Sequence, residues 1–140
     1  NEHAVELAKQ LLEFEQVGPV GLGGRDTLRL EAGLSLYGHE LNEQNTPIDS
    51  GLQWLIKRAD GYLGAPVIRE QLAAGARFQR IGLVVDGKIP VREGCAILND
   101  NDETVGIVTS GSYSPTLGKP IALAQVSSMI EEVRLIMLVL

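Results

Sequence analysis

The sequence predicts an α+β chain, with a mixed α/β piece over residues 1–75 followed by an antiparallel β-sandwich or barrel over residues 76–140. Three observations carry this. Near Gly75 the apolar spacing changes from three- and four-residue steps to short runs separated by turn-rich segments. The 140 residues include 16 glycines, about 11% against a usual ~7%, and only six aromatics, which favours many turns and close backbone approaches. The charge shifts as well: residues 1–60 hold five basic and ten acidic groups, residues 61–140 seven and eight.

Taken in order, Ala4, Leu7, Ala8, Leu11 and Leu12 share one face of an amphipathic helix between Glu2 and Glu15. A glycine-rich loop, residues 17–24, then opens a second helix through Arg25–Ala32, with Gly33 at its end. Leu34 to Leu41 reads as a loop or short extended piece. Thr46-Pro47-Ile48-Asp49 reads as a helix start, with Thr46 as N-cap, Pro47 at the first helical position and Asp49 near the positive end. The apolar run Leu52–Ile56 is expected to be a buried strand, and Gly64-Ala65-Pro66 to open a helix closed by Gly75. Beyond it, Arg80–Val85, Cys95–Leu98, Val105–Thr109, Ile121–Val126 and Leu135–Leu140 read as strands.

Composition excludes several classes of function. Twelve basic against 18 acidic residues give a net charge of −6, which repels phosphate backbones and anionic lipid, so neither nucleic acid nor membrane is an expected partner. The last apolar run has six residues where a spanning helix needs about 20. One cysteine and two histidines assemble no zinc site, and Cys95, in an apolar pattern with no nearby histidine, reads as an inert core thiol. His3 and His39 read as solvated or locally hydrogen-bonded. The pairs Asp26/Glu31 and Glu13/Glu15 diverge on a helix and make no acid/base pair.

The strongest local signal is Gly21-Leu22-Gly23-Gly24-Arg25-Asp26, which brings backbone donors and a guanidinium to a helix N-terminus and suits an anionic or amide-bearing ligand. It lacks the Gly-Lys-Ser/Thr of a phosphate loop, and a purely structural turn is the competing reading. Trp54 is either a core anchor or a flat stacking wall.

Residues 21–34 with Leu36-Tyr37-Gly38 resemble the signature of the aminomethyltransferases, the T-proteins of the glycine cleavage system. Residues 46–54 resemble the family's next block, and Val105 through Ala122, with Ser110-Gly111-Ser112-Tyr113-Ser114-Pro115-Thr116-Leu117-Gly118, its C-terminal barrel motif. The resemblance implies part of a folate-binding domain over 1–75 and a C-terminal antiparallel β-barrel over 76–140. It also implies tetrahydrofolate-dependent aminomethyl transfer from the lipoyl arm of the H-protein, giving 5,10-methylenetetrahydrofolate and ammonia, with no metal. By the same resemblance Arg25 lies in the folate site and Trp54 near the aminobenzoyl portion. The catalytic carboxylate belongs to a missing N-terminal half, so no catalytic residue is expected in this segment. The location implied is cytoplasmic in a bacterium and the mitochondrial matrix in a eukaryote. The sequence departs from the family after Val126, where a glycine-containing turn is absent, and at the tail tyrosine of the folate site. Rival readings are a folate-binding regulator or iron–sulfur assembly protein, whose Lys-Gly-Cys-Tyr-x-Gly-Gln-Glu motif is absent, and the folate domain of a demethylating oxidase.

Overall fold

The computed structural model describes residues 2–129. In chain order it holds α1 (Ala4–Leu12), α2 (Leu22–Glu31), a 3-10 turn (Gln53–Leu55), α3 (Ala65–Ala74), β1 (Phe78–Val84), β2 (Ala96–Leu98), β3 (Thr104–Ser114) and β4 (Lys119–Ser127). The strands form one antiparallel sheet in the order β1-β4-β3-β2. The run Leu135–Leu140, expected as a last strand, lies outside the described residues.

Strand β4 organises the core. Its alternate side chains Ile121 and Leu123 meet Leu30 of α2 on one face. Ala122, Ala124 and Val126 pack on the other against Val85, Val91, Ile97 and Val108. A strand covered on both faces reads as an unbroken apolar run, which is why residues 121–124 show no polar alternation.

Helix α2 begins at Leu22 with Gly21 as N-cap, so Gly23 and Gly24 lie in its first turn and not in the preceding loop. It ends where Gly33 adopts a left-handed φ of 66°. There the Gly33 N–H donates to the Leu30 carbonyl (3.0 Å) and the Leu34 N–H to that of Arg29 (2.8 Å), which satisfies two terminal acceptors and turns the chain back toward the sheet. Helix α3 carries Pro66 in its first turn and closes at Gly75, as its sequence predicts.

The Thr46–Asp49 segment does cap, but it caps a single turn. The Asp49 N–H donates to Thr46 Oγ1 (3.3 Å) and the Thr46 N–H donates to Asp49 Oδ2 (3.2 Å). The fully buried Asp49 carboxylate also accepts from Gln71 Nε2 in α3 and from the Arg77 N–H and Nη2, at 3.1 and 2.7 Å. It thereby joins the turn, α3 and the entry to β1. Burial alone would raise its pKa. The hydrogen bonds from Arg77, Thr46 and Gln71 and the Arg77 charge outweigh that and hold it at about 2.

Two expectations fail. Leu52–Ile56 is no buried strand: Leu52 donates to Pro47, Leu55 to Leu52 and Ile56 to Gln53, so three of its five amides are consumed in local turns and the segment winds into a 3-10 turn. Among the described residues before β1, strand-like pairing is confined to a bridge between Tyr37 and Leu41. Helix α1 is shorter than residues 2–15 and buries none of its side chains.

Candidate functional site

The site is built where α2 meets a β-bulge in β3. The register runs from Val108 opposite Ala124 to Ser110 opposite Leu123, leaving Thr109 without a partner. Consecutive strand residues ordinarily point to opposite faces, and the extra residue cancels that alternation locally. The Thr109 and Ser110 hydroxyls both reach Glu40 Oε1, at 2.8 and 2.5 Å.

Glu40 is 3% exposed and Arg29 7%, so their charges must be satisfied inside the protein. Arg29 donates through Nη1 to Glu40 Oε2 (2.8 Å), through Nη2 to Ser110 Oγ (2.8 Å) and through Nε to Asp26 Oδ1 (2.7 Å). The Leu36 N–H also donates to Glu40 Oε2 (2.9 Å). Burial pushes the Glu40 carboxyl up, but the hydrogen bonds from Ser110, Leu36 and Thr109 and the Arg29 charge together hold it below the usual range. At the far end of α2, Glu31 accepts from Ser114 Oγ and from Thr116, which lowers its pKa and pins the β3–β4 turn.

This buried network floors a groove made of two cavities of about 240 and 350 Å³ that share Asp26 and His39. The first is lined by Arg29, Arg92, Glu93, Ser110 and Gly111 as well, the second by Leu22, Gly23, Arg25 and Leu36. Arg25 is exposed on the groove wall, and none of the ion pairs among the described residues engages it. Its charge is available to an anion. Asp26 is already committed to Arg29. His39 Nδ1 lies 3.2 Å from the Thr109 carbonyl and 3.1 Å from Glu93 Oε2. These partners lie far along the chain, so His39 is neither merely solvated nor locally bonded.

Trp54 does not line this groove and is 66% exposed on the 3-10 turn. The core-anchor reading of Trp54 is therefore incorrect, because the turn that replaces the expected strand carries the ring outward. Cys95 is half-buried against the Val85–Val126 core cluster, in keeping with an inert thiol. Among the described residues no group of His, Cys, Asp and Glu could hold a metal, and no helix is long and apolar enough to cross a membrane.

Sequence reasoning missed Arg29, Glu40, Thr109 and Ser110. The i, i+3 spacing of Asp26 and Arg29 was the one local hint. The other pairings depend on Gly33 turning the chain and on the bulge.

These features define an α+β protein whose anion-facing groove is walled by a glycine-opened helix and a bulged antiparallel sheet. Residues 1–60 match the family described as GCVT N-terminal domain, and residues 79–135 that described as Glycine cleavage T-protein C-terminal barrel domain. The chain belongs to the aminomethyltransferase family, the glycine cleavage T-proteins. It is 48% identical over 134 residues to the mitochondrial aminomethyltransferase of Pisum sativum, covering 91% of this chain and 33% of that protein. It is 42% identical over 136 residues to the probable mitochondrial aminomethyltransferase of Schizosaccharomyces pombe, covering 94% and 35%. The crystal structure of glycine cleavage system aminomethyltransferase T from Bartonella henselae superposes with a TM-score of 0.86 at 33% identity, over 96% of this chain and 40% of that one. The chain thus spans about a third of the length of the curated relatives it matches.

Proposed function

We propose that this chain is the C-terminal portion of an enzyme that transfers an aminomethyl group from the lipoyl arm of the H-protein to tetrahydrofolate, giving 5,10-methylenetetrahydrofolate and ammonia. The observation that carries this is the match to aminomethyltransferases over nine-tenths of the chain, at 48% identity to the Pisum sativum protein. The groove fits a folate. Arg25 offers an uncommitted cation beside the apolar Leu22 and Leu36, which suits a ligand carrying carboxylates on an aromatic body. Trp54 lies exposed outside this groove, and only the family resemblance assigns it to the aminobenzoyl portion. Bound tetrahydrofolate supplies the nitrogen atoms that receive the one-carbon unit. The residues here bind and orient it, and they help exclude water from an iminium-like centre.

In this reading residues 1–75 belong to the folate-binding domain and residues 76–140 to the C-terminal barrel domain. The catalytic carboxylate lies in the upstream part of the enzyme. The relatives' mitochondrial names support the matrix as the location in a eukaryote, and the cytoplasm is its counterpart in a bacterium. A regulatory, iron–sulfur assembly or oxidase role is not favoured, since the curated relatives named above are aminomethyltransferases.

The test is methylenetetrahydrofolate formation from aminomethyl-loaded H-protein. The complete enzyme containing these residues turns over, and the 140-residue segment alone does not. Turnover by the segment would place the chemistry in residues assigned here to binding, with Asp26 and Asp49 the first to examine.

A further inference from the structure

We propose that His39 is a positioning residue that latches three walls of the groove together through Nδ1, and so sets the affinity for the folate read into that groove. The proposal rests on the folate reading for its ligand, but the latch stands on geometry alone. His39 sits in the turn between Tyr37 and Leu41, against the β1–β2 loop. Its Nδ1 lies 3.2 Å from the Thr109 carbonyl, at the bulge residue without a register partner, and 3.1 Å from Glu93 Oε2 in the β1–β2 loop. Both neighbours are acceptors, so Nδ1 must be the nitrogen that carries the proton. One ring thereby links the turn after α2, the bulge of β3 and the β1–β2 loop.

The ring borders both cavities of the groove. Glu93 and Arg92, on the loop that the latch holds, line the inner one with Asp26 and Arg29. That loop is also tied down by Val91, buried in the core, by the Cys95 N–H donating to the Arg92 carbonyl, by Arg92 Nη1 reaching the Gly111 carbonyl at 3.5 Å, and by Gly94, whose N–H donates to the Val108 carbonyl, and Cys95, which accepts from the Val108 N–H. The side chains at 92 and 93 are exposed. Losing the latch therefore frees the Glu93 side chain and loosens the chain at 92–93 between the fixed points at Val91 and Gly94 while leaving the sheet intact, and ordering it again costs a ligand part of its binding energy.

The two substitutions that separate this from a merely structural role are His39→Asn and His39→Leu in the complete enzyme. Asparagine suits the turn and presents an amide donor at the distance of Nδ1. Leucine fills comparable space with no donor. His39→Leu is expected to increase backbone hydrogen exchange at residues 92–93 and to raise the KM for tetrahydrofolate about tenfold, with kcat and thermal midpoint little changed. His39→Asn is expected to restore both the exchange pattern and KM to within about twofold. The exchange readout needs no ligand. If the loop loosens in His39→Leu and recovers in His39→Asn but wild-type enzyme binds no folate, the latch holds and the folate reading fails. If wild-type binds folate and neither variant alters exchange or KM, the latch is wrong. Equal losses in both variants with a lowered thermal midpoint would also overturn it.

Discussion

At the scale of single residues, the molecule's most consequential charge is Arg29, which no local pattern marks as buried. Its guanidinium satisfies Glu40, Ser110 and Asp26 at once. Removing it leaves the Glu40 carboxylate, 3% exposed, without its counter-charge. Arg29→Met in the complete enzyme is expected to cost about 3–5 kcal/mol of stability, read as a lowered denaturation midpoint. A loss under about 1 kcal/mol would mean that the hydroxyls of Thr109 and Ser110 suffice. Asp49 gives a pH dependence with a definite sign. Its pKa falls from an ordinary 3.8 to about 2 in the fold, so the native state favours the ionised form. The stabilisation is complete above about pH 5, declines as the pH falls through the interval between the two values, and is gone below about pH 1. It is on the order of 2 kcal/mol. Asp49→Asn is expected to flatten the acid limb of the stability profile.

Elements were legible where the signal was local and strong. Helix α3 followed from Pro66 and Gly75, the end of α2 from Gly33, and the four strands from short apolar runs between turns. Leu52–Ile56 was misread because a five-residue apolar run has no period that separates a strand from an exposed turn. The bulge at Thr109 was invisible because nothing in Val-Thr-Ser-Gly distinguishes a regular ladder from an interrupted one. A second device of β3 is Gly111, where an added Cβ would collide with the Val91 carbonyl. Val91 is 1% exposed in the core, so the approach is tight and has little room to relax. Gly111→Ala is expected to destabilise by about 1–3 kcal/mol and to disturb the groove edge that Gly111 shares with Ser110. Unchanged stability, measured by chemical denaturation, would show that the loop carrying Val91 yields freely.

For the whole molecule, the groove draws its walls from both halves of the chain. Arg25, Asp26 and His39 come from the stretch that matches the N-terminal domain family, and Arg92, Glu93, Ser110 and Gly111 from the stretch that matches the barrel family. Helix α2 is the joint, with Leu30 seated against Ile121 and Leu123. The sequence resemblance assigned Arg25 to a folate site, while the groove wall on which it lies and the buried Arg29–Glu40 pair in the same helix–sheet joint had no local signature. In the proposed function Arg25 faces a folate while Arg29, four residues on, maintains the fold. Exposure separates the two: Arg25 lies in solvent at the groove wall, and Arg29 is buried. The most direct measurement is calorimetric titration of the complete enzyme and its Arg25→Ala variant with tetrahydrofolate, alongside their thermal midpoints. The expected result is affinity weakened by about tenfold or more, as for loss of a charge-assisted hydrogen bond, with an unchanged midpoint. Unaltered affinity in a folded variant would contradict the assignment of Arg25 to folate.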